Sequence, residues 1–167
     1  MTKPSTKPWL AALLLASCAC AALAQNPTDT PEWVEEAVGD APAFSLAGLL
    51  PIEMPPYVSL KVGVDPATIS VGKDGVVRYV VVMTNASGSM NAAFEGIRCA
   101  TGEVKTYARQ VSAGQWSKVA SPQWKSVTDN LPSRHAYAIS RQGACEARSA
   151  PDRLTIVNAL KNGRQTP

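Results

Sequence analysis

His135 is the only histidine in the 167-residue chain, so a Ser-His-Asp or Cys-His site has to be built around it. No Gly-x-Ser-x-Gly elbow accompanies it. The carboxylates Asp65, Asp74, Glu95 and Glu103 are far apart in sequence, so a glycosidase-like pair would have to come from folding. Lys73-Asp74-Gly75 lacks the acidic repeat of a calcium loop, and no glycine-rich phosphate loop or dinucleotide fingerprint is present. The residue types therefore give no assembled catalytic set, no cofactor site and no metal site. The expectation is a protein that is not an enzyme; an enzyme would need a concave site joining His135 to a carboxylate.

The chain has four cysteines, and two of them, Cys18 and Cys20, fall in an N-terminal export leader. Cys99 and Cys145 remain. In an oxidising compartment they most simply form one intrachain disulfide, and their spacing excludes Cys-x-x-Cys chemistry. A zinc site would need more Cys or His than the chain offers.

Phe94-Glu95-Gly96-Ile97-Arg98-Cys99 reads as a strand in which alternation sets Glu95, Ile97 and Cys99 on one face and Phe94, Gly96 and Arg98 on the other. With the disulfide buried, Glu95 faces the covered side and needs a cationic or hydrogen-bonding partner. Lys105, Arg109 and Arg134 are the candidates. Glu95, Arg98, Arg109 and Arg134 are therefore singled out as a structural ion-pair group or a ligand contact. Gly96, with no side chain, leaves room for a ring such as Tyr107 or Trp116 to lie on the strand.

The leader combines Lys3 and Lys7, the apolar run Trp9 to Ser17, and a small-x-small cleavage site at Ala22-Leu23-Ala24 before Gln25. Leu15-Ala16-Ser17-Cys18 also resembles a lipobox, in which Cys18 would be the lipidated residue. The two cleavages exclude one another, and both stay open. No later stretch is long and apolar enough to span a membrane. The organisation is a leader over residues 1–24 (or ending before Cys18), an acidic proline-rich arm over 25–56, and a single domain over 57–167. The arm holds six acids and no Lys or Arg, whereas residues 57–167 hold seven acids against fourteen bases, a net +7. The two parts attract, which suits either an arm that neutralises its own domain or a basic face for an anionic glycan or lipid. Nucleic acid is an unsuitable partner outside the cytoplasm, and no aromatic-studded basic motif argues for it.

The arm's prolines block long regular elements, but Thr30, Pro31 and Gly39 frame one short helix carrying Trp33, Val34 and Val38 on its apolar side, with Trp33 docking on its own domain. From Tyr57 the period switches to two. Strands are expected over Tyr57–Val64, Ala67–Val71 and Val76–Thr84, followed by a hairpin of Ala92–Ala100 with Val104–Gln110 about Thr101-Gly102. Further strands are expected around Trp116–Trp124 and His135–Ser140. Ser149 and Pro151 start a last helix with Leu154, Val157 and Leu160 on its apolar face, and Gly163 stops it. The fold class is α+β: a twisted antiparallel β-meander packed by a C-terminal helix and closed by one disulfide.

The runs Asp74-Gly75-Val76-Val77-Arg78-Tyr79 and Phe94-Glu95-Gly96-Ile97-Arg98-Cys99-Ala100-Thr101, with Trp116, Trp124, Arg134-His135 and Cys145, resemble the cryptic neisserial protein family. The likeness covers roughly Tyr57 to Gly163. It implies a periplasmic or outer-membrane-associated protein, lipid-anchored in some members, with Cys99 and Cys145 as a structural pair and no assigned catalytic residue. A weaker, architectural likeness, at Asp65-Pro66-Ala67-Thr68-Ile69 and the following hairpin, is to small surface-adhesin lipoproteins. The functional expectation is a binding or envelope-structure domain; the alternatives are an adhesin-like or polyanion-binding module and an uncharacterised hydrolase. The ligand, the envelope partner and the oligomeric state are not legible.

Overall fold

Val76–Thr84, with seven consecutive buried residues from Val76 to Val82, is apolar or neutralised on both sides and so has to be covered on both sides. A computed structural model describes residue 2 and residues 32–111, 114–129 and 133–163. The chain divides into two units, Met1–Glu32 and Trp33–Pro167, and the sheet and both helices belong to the second. The leader residues, Cys18 included, lie outside the described residues.

The strands are β1 (Leu50–Ile52), β2 (Lys61–Val64), β3 (Ser70–Val71), β4 (Val76–Thr84), β5 (Met90–Arg98), β6 (Glu103–Val111), β7 (Ser117–Lys118) and β8 (Lys125–Ser126). They form one antiparallel sheet in the order β1-β2-β4-β5-β6-β7. β3 joins β4 beside β2, and β8 joins β6 beside β7. This is the expected meander, and the β5–β6 hairpin turns where Gly102, at φ 68°, supplies the left-handed residue. β1 lies within the segment read as the arm.

One face of the sheet presents Val62, Val64, Val77, Tyr79, Val81 and Ile97, and is covered by α1 (His135–Ile139) and α2 (Arg153–Asn162) through Ala136, Ile139, Ile156 and Leu160. The other face presents Val80, Val82, Ala92, Phe94 and Ala108, and is covered by the extended residues Val38, Ala41, Phe44 and Leu49 together with Trp116. The expected arm helix is therefore absent over 32–39; Thr30 and Pro31 lie outside the described residues. An extended chain spreads Trp33, Val38, Ala41 and Phe44 over the sheet, whereas a helix would have concentrated them on one short stripe.

Three further expectations are corrected. His135–Ile139 is a helix, because Ala136 and Ile139, three residues apart, are both driven into the core. Pro66–Thr68 is a single helical turn, capped by Asp65, whose side chain accepts from the Ala67 amide; only Ser70–Val71 of that segment is strand. In α2 the buried residues are Ile156 and Leu160, while Leu154 is 66% exposed. Asp152 caps this helix by accepting from the Leu154 and Thr155 amides, and Gly163 closes it at φ 61°. Cys99 and Cys145 form the disulfide, with Cα atoms 5.6 Å apart, tying the end of β5 to the turn after α1.

Candidate functional site

β5 carries Glu95 on the helix-covered face, opposite Tyr79 of β4 and Thr106 of β6, and buries it to 3% exposure. Between Phe94 and Glu95 the register with β6 slips: Phe94 faces Ala108 and Glu95 faces Thr106, so Tyr107 is an extra residue. The bulge has a geometric effect. Thr106 and Arg109, three apart, would point to opposite faces of a regular strand, but the extra residue brings both to the Glu95 side. Tyr107 goes the other way, against Gly96, where an added Cβ would lie 2.5 Å from the Tyr107 hydroxyl.

His135 opens α1 and meets Glu95 from the helical layer, with Nε2 2.8 Å from Glu95 Oε2. Its other nitrogen, Nδ1, is 2.5 Å from Ser133 Oγ. The intervening Arg134 is left-handed at φ 50°, ψ 19°, a turn that folds Ser133 back over the imidazole edge. Tyr79 and Thr106 donate to Glu95 as well, to Oε2 at 3.3 Å and Oε1 at 3.0 Å. Glu95 thus accepts three hydrogen bonds on two oxygens, the demand of an ionised carboxylate.

Burial pushes the Glu95 carboxyl up, but the facing His135 charge and the hydrogen bonds from His135 and Thr106 outweigh it and hold the group below its usual range. His135 is the mirror case: burial pushes it down, and the Glu95 charge and hydrogen bond hold it above its usual range, with Arg109 opposing. Burial and the Glu95 charge push Tyr79 well above the usual phenol range, so it remains a donor.

The pair forms part of the floor of a cleft of about 400 Å³. Its walls include apolar Leu60, Met83, Val104 and Val119, and the connection from β7 to β8 arches over it with Ser121, Pro122 and Gln123. Arg109 and Lys125 also line it, both exposed. The ion pairs among the described residues are Arg78–Asp74, Lys105–Glu35, Lys118–Asp40 and His135–Glu95, so neither Arg109 nor Lys125 has an ionic partner there. A volume of this size, with apolar walls and a few convergent polar groups, has the form of a small-molecule site.

The other singled-out residues lie elsewhere. Of the candidate partners, the structure brings Arg109 into the cleft with Glu95, while Lys105 points to the opposite face and binds Glu35 at 2.5 Å. Arg98 stacks on Trp33, its guanidinium carbon 3.6 Å from the ring centroid. Arg134 reaches outward, 3.5 Å from the Tyr57 hydroxyl and 5.5 Å from the Tyr137 ring. Asp65 caps the turn and accepts from the Ser45 amide; Asp74 binds Arg78; Glu103 accepts from Thr101. Ser133, Thr106, Tyr79 and Lys125 are site residues that the sequence did not reveal. The hairpin register would have pointed to Thr106 only with the bulge known, and Ser133 carried no signal beyond standing two residues before His135.

The acidic segment neutralises part of its own domain. Glu35 takes Lys105 and the Tyr107 hydroxyl, the Glu36 amide donates to Asp74, and Trp33 Nε1 donates to the Asp74 carbonyl. Trp33 docks as expected. Among the described residues no group of three or more His, Cys, Asp or Glu could hold a metal ion, and no helix is long and apolar enough to cross a membrane.

Fold and site together define a small α+β sheet domain with a pre-organised polar cleft. The chain belongs to the CNP1-like family, whose model matches residues 28–161 and so includes the acidic segment as well as the sheet. No curated protein and no solved structure matches the chain.

Proposed function

We propose that this protein is a binding domain of the cell envelope that takes up a small amphiphilic anion in the cleft above Glu95 and His135. The observation that carries the reading is the pairing of apolar walls with two exposed cations, Arg109 and Lys125, neither of which makes a salt bridge among the described residues. Lys105 and Lys118, by contrast, are taken by the arm. This favours a small ligand in the cleft over a long polyanion across the surface. An envelope location is supported by the leader residues Lys3 to Ala24 and by the Cys99–Cys145 disulfide, which suits an oxidising compartment. Whether Cys18 is lipidated is decided by the N-terminal mass of the protein recovered from its source.

Calorimetric titration with octanoate, against neutral octanol, tests the reading. Octanoate is expected to bind and octanol to bind at least about tenfold more weakly, with Arg109→Gln removing most of that difference. Equal affinity for the two probes, or no binding of either, would overturn it.

A further inference from the structure

His135 and Ser133 carry an inference that rests on reading the cleft as a ligand site but adds chemistry to it. Glu95 accepts from Tyr79, Thr106 and His135, so the neutral imidazole must carry its proton on Nε2. That leaves a lone pair on Nδ1. The group facing it is the Ser133 hydroxyl, 2.5 Å away, and this contact is held by the left-handed Arg134 between the two residues. A carboxylate fixing an imidazole whose free nitrogen meets a serine hydroxyl is the arrangement that activates serine, here with the two ring nitrogens exchanged relative to the usual order. Ser133 and His135 both line the cleft.

We propose that Ser133 is a nucleophile acting on a small carboxylic ester seated in the cleft. Ser133 Oγ bonds to the ester carbonyl carbon as its proton passes to His135 Nδ1. The ester C–O bond then breaks, His135 returns that proton to the leaving alkoxide, and an acyl-Ser133 remains. Water repeats the sequence, giving the carboxylic acid and restoring the serine. Leu60, Met83, Val104 and Val119 offer packing for an apolar acyl or alkyl part, and Arg109 and Lys125 are the cations available to an anionic group or a developing oxyanion. The charged and titratable groups around His135 are Glu95 from β5, Arg109 from β6, Tyr79 from β4 and Lys125 from β8. Because Glu95 favours the imidazolium, the reaction accelerates as pH rises through the elevated His135 titration.

The test is labelling of the full chain with diisopropyl fluorophosphate, read by peptide mass, together with hydrolysis of p-nitrophenyl butyrate. One adduct on Ser133 is expected, absent in Ser133→Ala. Labelling and turnover should fall about a hundredfold in Glu95→Gln, a variant that keeps the serine, with melting curves confirming that both variants fold. Folded wild type unlabelled at Ser133, or butyrate hydrolysis indifferent to Ser133→Ala, overturns the proposal; if Ser133→Ala does not fold, the wild-type labelling position decides. Octanoate bound without labelling sinks the nucleophile and leaves the binding reading intact, whereas loss of both sinks both.

Discussion

His135 Nε2 lies 2.8 Å from Glu95 Oε2, although the two residues are forty positions apart and sit on different layers of the fold. Both are largely withdrawn from water, at 8% and 3% exposure. A buried pair of this kind is held by geometry and by its satellite hydrogen bonds more than by Coulomb attraction, because each ion loses its hydration on entry. Here the satellites are Tyr79 and Thr106 on Glu95 and Ser133 on His135.

The pair should give stability a defined pH window. Glu95 is depressed in the folded state, so its contribution is present above the ordinary value of 4.5 and is lost as pH falls through the lower folded value. His135 is elevated, so its contribution is complete below 6.5 and is lost as pH rises through the higher folded value. Thermal melts across pH should show the difference between wild type and Glu95→Ala largest between these two values and smaller on either side. Near the maximum the substitution should cost about 3–5 kcal/mol, since it leaves His135, Tyr79 and Thr106 without their acceptor. A difference that is flat with pH would contradict the assignment.

The disulfide closes a loop with a sequence separation of 46, which in the chain-entropy model contributes about 4 kcal/mol. Urea unfolding of a Cys99→Ala, Cys145→Ala double variant should show a loss of that order. A loss under about 1 kcal/mol would mean that the unfolded chain is already constrained without the bond.

Part of this architecture was open to reading from the residues, and the reason differs by element. Glu95 is placed correctly by alternation, since the period of two is insensitive to where a strand begins. Its partner was missed because His-Ala-Tyr-Ala-Ile alternates large and small side chains, which imitates a strand; the tertiary demand to bury Ala136 together with Ile139 decides for a helix. The arrival of Arg109 beside Glu95 depends on a single extra residue, Tyr107, and a bulge has no compositional signature here beyond the nearby Gly96. The β-branched residues on both faces of Val76–Thr84 indicate a strand covered on both sides, but what covers its second face is an extended acidic segment, over which Thr30, Pro31 and Gly39 carry the local signals of a helix. Docking of Trp33 and Phe44 outweighs those signals.

Trp33 should act as the fastener of that segment. Its ring stacks on Arg98 and its Nε1 donates to the Asp74 carbonyl at 2.9 Å. Trp33→Ala should therefore cost about 2 kcal/mol and make residues 33–49 the first site of cleavage in limited proteolysis. Cleavage that begins elsewhere, at an unchanged rate within 33–49, would show that Glu35 and Phe44 hold the segment without it.

Gly96 provides a separate check on the bulge. A methyl group there would meet the Tyr107 hydroxyl at 2.5 Å and Val76 Cγ1 at 2.8 Å. Gly96→Ala should cost about 1–3 kcal/mol through overpacking and disturb the Tyr107 hydrogen bond to Glu35. A variant as stable as wild type would mean that Tyr107 relaxes freely and that the bulge tolerates rearrangement.

The most direct measurement is nitrogen-15 NMR of the imidazole, which is unambiguous in a chain with a single histidine. At a pH above its titration, His135 is expected in the tautomer protonated on Nε2, with a hydrogen-bonded Nε2 proton that disappears in Glu95→Ala and an unprotonated Nδ1 that shifts when octanoate enters the cleft. An imidazole protonated on Nδ1, or one whose signals ignore both the Glu95 substitution and the ligand, would contradict the arrangement on which the site is built.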